Sequence, residues 1–178
     1  MTRLRIGISS CLLGDEVRFD GGHKRDAALI AALGPYVEWV RVCPEVELGL
    51  GVPREPVRLV SAGGRIRMVA LQSRIDHTDA MRAFATRRVR ELALADLSGY
   101  VVKAKSPSCG LRDVSIVMDD VAGAAGATGM GLFAAALTDV LPDLPVEDDV
   151  RLADAALRES FLERAVAYDR VHRRQRHA

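Results

Sequence analysis

The sequence predicts an α/β protein: an open, Rossmann-like, mostly parallel sheet flanked by helices, with a C-terminal helix. Three observations predict it. Short runs with alternating or Val-rich apolar residues recur along the chain. Between them lie stretches with the apolar period of an amphipathic helix. The chain has 178 residues, 49% hydrophobic and 28% charged, which suits one domain with a sizeable core.

Leu4 to Ser10 (LRIGISS) alternates and is the first strand, followed by a loop at Cys11-Leu12-Leu13-Gly14. Asp20-Gly21-Gly22-His23 is turn chemistry, because paired glycines permit positive φ. Asp26 to Leu33 is a helix closed by Gly34-Pro35. Val37 to Val42 is the second strand, and Pro44, with no N–H, ends its ladder. Arg65 to Leu71 (RIRMVAL) is a third strand, entered through Gly63-Gly64. Asp76 or Thr78 caps a long helix whose apolar stripe is Met81, Phe84, Ala85, Val89, Leu92 and Ala93. Ser98-Gly99 stops that helix, and Tyr100 to Ala104 is a fourth strand. Lys105 to Gly110 (KSPSCG) is a loop and Val114 to Met118 a short strand. A glycine-rich loop, Gly123 to Gly131, feeds a helix over Leu132 to Leu137; Leu144-Pro145-Val146 is an edge strand, and Leu152 to about Arg173 a charged helix. Residues 1–148 are expected to form the α/β domain and 149–178 a helical tail of that domain.

Lys+Arg is 25 against 24 Asp+Glu, a formal net charge of +1. That balance excludes a uniformly basic nucleic-acid binder and an acidic disordered chain. Arg3 and Arg5 interrupt any signal-peptide core, and the Gly/Ala-rich stretch Val121 to Leu137 is too short and too weakly hydrophobic to span a membrane. The expectation is a cytoplasmic protein with no membrane partner, its thiols reduced or metal-bound. Gly126-Ala127-Thr128-Gly129-Met130-Gly131 lacks the Lys-Ser/Thr of a phosphate-binding P-loop. The tail cations Arg170, Arg173, Arg174 and Arg176, with His172 and His177, read as a solvated helix end, with RNA phosphates as the rival reading.

The three cysteines carry the functional signal. Cys11 follows the first strand, Cys43 ends the second and Cys109 lies just past the fourth. Ligand sites in open α/β sheets form outside the carboxyl ends of parallel strands, so neighbouring strands would bring the three sulfurs together. Structural zinc usually takes close pairs of cysteines, which are absent here. A cubane cluster normally takes four thiolates, so three leave one iron open to substrate. Catalytic zinc on three cysteines, and a thiol nucleophile paired with His23, stay open on spacing alone.

Four local motifs, Ser9-Ser10-Cys11-Leu12-Leu13-Gly14, Val17 to Lys24 (VRFDGGHK), Val42-Cys43-Pro44-Glu45 and Ser106-Pro107-Ser108-Cys109-Gly110, occur in that order. Together they resemble the thiouracil desulfidase (TudS-like) family, catalogued as domain of unknown function 523, over about Arg5 to Val146. The stretch Glu45 to Leu59 and the tail Leu152 to Tyr168 resemble the subgroup that carries a C-terminal companion domain and is linked to tRNA thiouridine desulfuration. This chain stops where that domain would start.

The resemblance implies a 4Fe-4S cluster held by Cys11, Cys43 and Cys109, with one iron not bound by protein and free to meet the sulfur of a thiolated uracil. The implied reaction is a non-redox desulfuration giving the oxo product and sulfide. The substrate is a free base, a nucleotide or tRNA thiouridine. The implied catalytic groups are Glu45 and a serine of the S-P-S-C loop, Ser106 or Ser108, with preference for Ser106. Ser10, Asp20, Gly22, His23, Lys24 and Arg54 are candidate substrate contacts, the cations suiting a nucleotide phosphate. The rival functions are a cluster-bearing module that recognises thiolated tRNA or senses redox state without turnover, and a zinc-dependent hydrolase.

Overall fold

A computed structural model describes residues 3–118 and 126–176, side chains from 173 onward excepted. In chain order the elements are β1 (Leu4–Ser9), α1 (Ala27–Leu33), β2 (Val37–Val42), α2 (Pro44–Glu47), β3 (Val57–Ala62), β4 (Arg65–Ala70), α3 (Thr78–Leu94), β5 (Gly99–Val102), β6 (Val114–Met118), β7 (Thr128–Gly129), α4 (Leu132–Val140), β8 (Val146–Asp148) and α5 (Ala155–Arg176). Short 3-10 turns occupy Ser10–Leu13 and Arg151–Ala153.

Two four-stranded sheets result, where the sequence predicts one open sheet. The first runs β2-β1-β5-β8 with every pairing parallel, in register Ile6 beside Trp39 and Ile6 beside Gly99. The second runs β4-β3-β6-β7 and is mixed, with only β3 and β6 parallel. A parallel sheet must be covered on both faces. On one face Ile6, Ile8 and Val101 pack with Leu29 and Leu33 of α1 and with Phe161 and Ala165 of α5. On the other, Tyr100 and Val102 pack with Met81, Phe84 and Val89 of α3 and Phe133 of α4. That second core also takes in Leu59, Met68 and Ile116 of the mixed sheet, so α3 and α4 serve both sheets. Gly7 is required at the sheet centre, because a Cβ there would fall 2.2 Å from the Tyr100 ring.

Local signals set most boundaries. Asp26 caps α1 by accepting from Leu29 N–H. Pro44 both ends β2 and starts α2, a helical turn the sequence reading leaves out. β3 was not expected either; its hairpin with β4 through Gly63-Gly64 is what makes Arg65 to Ala70 a strand. At α3 His77 is the cap residue, while Asp76 accepts from Thr78 N–H at 2.9 Å. The α3 stripe is buried as expected except at Ala93, which is exposed and falls off the core-facing side. The fourth strand ends at Val102, α4 runs on to Val140, the last edge strand is Val146–Asp148, and Leu152 sits in a 3-10 turn before α5. Of the expected loop Gly123 to Gly131, residues 123–125 lie outside the described residues, as do the side chains of Arg173, Arg174, Arg176 and His177, while Thr128–Gly129 forms β7. Among the described residues no helix is long and apolar enough to cross a membrane.

Candidate active site

β1 lies between β2 and β5, so the carboxyl ends of all three strands are adjacent. Cys11 stands in the turn after β1, Cys43 caps α2 after β2, and Cys109 lies in the loop after β5. The strand order therefore gathers three cysteines that are remote in sequence. All three line one cavity of about 270 Å³, together with Glu45, Arg54 and Ser106.

All three thiols are free. Burial pushes Cys11 up to about 11, with the nearby Cys43 adding to it. Burial likewise raises Cys43, and raises Cys109 far above an ordinary thiol, Glu45, Cys43 and Cys11 all adding to the effect. Sulfurs that discourage one another's ionisation in a dry pocket become stable thiolates only beside a cationic centre. Among the described residues no three His, Cys, Asp or Glu side chains gather closely enough for a single metal ion. Three sulfurs on one zinc would stand about 4 Å or less apart, each about 2.3 Å from the metal. Three thiols lining one cavity at neighbouring strand ends are a donor set that fits an iron–sulfur cluster.

Beside the thiols is a fixed carboxylate. Glu45 stands in the first turn of α2, two residues past Cys43. Its Oε1 accepts from Ser108 Oγ at 2.6 Å, and its Oε2 accepts from Arg54 Nη2 and Nε at 2.7 and 2.9 Å. Glu47 holds the same turn from the other side: Oε1 accepts from Cys43 N–H at 2.9 Å and Oε2 from Arg88 Nε on α3 at 2.7 Å.

The S-P-S-C loop is braced from within and from behind. Ser106 Oγ accepts from the N–H groups of Ser108 and Cys109, at 3.3 and 3.1 Å. The carbonyls of Pro107 and Ser108 accept from Leu132, Phe133 and Ala134 N–H, so the loop caps the start of α4. Gly131 permits this approach, since a Cβ there would lie 2.4 Å from Ser108 O. The exit from β5 is tied by Asp149, which accepts from Ala104 N–H and Lys103 Nζ, each at 2.7 Å. Ser9 Oγ accepts from Lys103 N–H at 2.9 Å, which ties the exit from β5 to the end of β1.

The expected residues divide cleanly. Ser10, Glu45, Arg54 and Ser106 line the cavity with the cysteines, and buried Ser108 stands behind Glu45. Asp20, Gly22, His23 and Lys24 do not line it. Asp20 accepts from Gly22 N–H at 3.0 Å, and exposed His23 accepts from Arg25 N–H at its Nδ1. Lys24 contributes through its backbone, its N–H holding Cys11 O at 2.9 Å. The part of that motif which reaches the cavity is Val17, Arg18 and Phe19. Phe19 is 37% exposed with the Arg18 guanidinium 5.3 Å over its ring. The bracing residues Ser9 and Asp149 escape sequence reasoning, although a serine buried at a strand end beside a cysteine is a signal for one of them.

The sequence model of the 2-thiouracil desulfurase family matches residues 6–149, from β1 to the end of β8 with all three cysteines inside. The chain belongs to the 2-thiouracil desulfurase family. Among curated proteins, the chain is similar to an uncharacterised protein of Bacillus subtilis strain 168, YbbK, 30% identical over 110 residues that cover 59% of this chain and 72% of YbbK. Among solved structures, the 4Fe-4S-dependent thiouracil desulfidase TudS superposes with a TM-score of 0.67 at 30% identity, over 89% of this chain and 99% of TudS. That likeness covers most of the chain, and the α/β fold expected from the sequence is the fold of that desulfidase.

Proposed function

We propose that this family member is a desulfidase that hydrolyses the thiocarbonyl of a thiolated pyrimidine. The balance is C=S + H₂O → C=O + H₂S, with no net redox change. Three free thiols converging with a doubly anchored carboxylate on one cavity carry this reading. Cys11, Cys43 and Cys109 are the residues that would hold a 4Fe-4S cluster. When bound, such a cluster with one iron lacking a protein ligand supplies a thiophilic Lewis acid for the C=S group.

The remaining work falls to the chain. Glu45, at the cavity wall, takes a proton from the attacking water, and its anchored geometry removes the need to reorient during reaction. Ser106 Oγ already accepts two backbone N–H groups, which leaves its own proton to donate to the substrate. Ser108 is buried and holds Glu45, so its role is support. The apolar wall of Val17, Phe19, Val42 and Pro56 excludes bulk water and suits a flat ring. A cavity of about 270 Å³ suits a free base or a mononucleotide with its ribose at the mouth better than a folded tRNA. An oxidation-sensitive centre of this kind suits a reducing cytosol.

The test is anaerobic reconstitution followed by incubation with 2-thiouracil, 4-thiouracil and the corresponding thio-UMP in oxygen-18 water. The expected outcome is a brown protein that releases sulfide, puts labelled oxygen into the product and consumes no reductant. A colourless zinc protein, or sulfide release that draws on reductant one for one, overturns the reading.

A further inference from the structure

Arg54 is expected from sequence to meet a substrate phosphate, and its surroundings argue otherwise. Its side chain is 7% exposed and that of its partner Glu45 14%. A guanidinium has five N–H donors. Four are already engaged: Nε and Nη2 each donate to Glu45 Oε2, and Nη1 donates to the carbonyls of Val17 at 2.9 Å and Gly51 at 3.0 Å. The fork that would grip a phosphate is closed on a carboxylate. The Arg54 backbone N–H also donates to Phe19 O at 2.8 Å. One residue therefore joins three parts of the cavity wall: the turn after Cys43, the Val17–Phe19 segment and the loop at Gly51.

We infer that Arg54 is a positioning residue, which holds the Glu45 carboxylate in its reactive place and does not bind substrate. This rests on the desulfidase reading above. With Oε2 committed to the guanidinium and Oε1 accepting from Ser108, one free lone pair of Oε1 is left to face the cavity. A lysine can supply the charge at one point but not the paired N–H geometry.

The test compares cluster-loaded wild type with Arg54→Lys, Arg54→Gln and Arg54→Ala, using thiouracil and thio-UMP. In every variant the iron and sulfide content and the cluster absorption should match wild type. kcat should fall about 100-fold in Arg54→Gln and Arg54→Ala, the scale of misplacing a general base, with KM within about threefold for both substrates. Arg54→Lys should recover part of the loss, and added guanidinium should recover part in Arg54→Ala. An unchanged kcat overturns the proposal. So does a rise in KM confined to thio-UMP, which would make Arg54 a phosphate ligand, or loss of the cluster in all three variants, which would make it a structural strut. A loaded wild type that releases no sulfide overturns the desulfidase reading itself, and the proposal falls with it; wild-type turnover tells the two failures apart.

Discussion

Ser108 Oγ donates to Glu45 Oε1 at 2.6 Å, joining the loop that carries Cys109 to the helical turn that follows Cys43. The two residues are 63 positions apart in the chain. Their bond makes the position of the carboxylate depend on both cysteine-bearing segments, so the group proposed to handle protons is tied to the segments that carry two of the three thiols.

That bond separates the roles of the two serines. Glu45→Gln should keep a full cluster and lose about 100-fold or more in kcat, the usual scale for a general base. Ser108→Ala should also keep the cluster, and lose about tenfold through a less constrained carboxylate. Ser106→Ala removes a turn brace made of two backbone bonds, and should lower stability by about 1 kcal/mol as well as slow turnover. Thermal unfolding together with steady-state kinetics on reconstituted protein checks all three.

Gly131→Ala tests whether the packing of α4 supports the site. The added methyl would press on Ser108 O, and the loop carbonyls there receive three α4 N–H groups. The expected cost is about 1–3 kcal/mol, typical of overpacking. Cluster occupancy should fall with it, because the displaced loop carries Cys109. Iron content per chain after identical reconstitution is the measurement.

Acid should weaken the junction between β4 and α3. Hydrogen bonding from the Thr78 hydroxyl, helped by Thr78 N–H and by Arg67, outweighs burial and holds Asp76 at about 2. A carboxyl whose folded value lies below its unfolded one, about 3.9, stabilises the fold fully above that unfolded value. The contribution disappears as pH falls from about 4 towards 2. Asp76→Ala should cost about 1 kcal/mol at pH 7, the scale of a lost helix-start cap. Its melting temperature should then converge with that of wild type in the acid window. Thermal melts from pH 7 to pH 2 check this.

Much of the architecture was legible because its signals are local. Val37 to Val42 is a strand by composition, Pro44 stops it by lacking an N–H, and Asp26 starts α1 by accepting from Leu29 N–H. β3 was not legible, since Val57 to Ala62 becomes a strand through its pairings with β4 and β6. Ala93 fits the α3 period on paper, yet which side of a helix is covered depends on what packs there.

The same division runs through the site. Sequence alone established that Cys11, Cys43 and Cys109 follow strands and that Glu45 accompanies Cys43, because strand ends and two-residue spacings are short-range properties. Tertiary structure decided that β1 lies between β2 and β5, which makes those three strand ends neighbours. It also removed Asp20, Gly22, His23 and Lys24 from the cavity wall and turned Arg54 inward onto Glu45. Strand order and the aim of a buried guanidinium are set by pairing and packing between distant segments, and no local pattern encodes them.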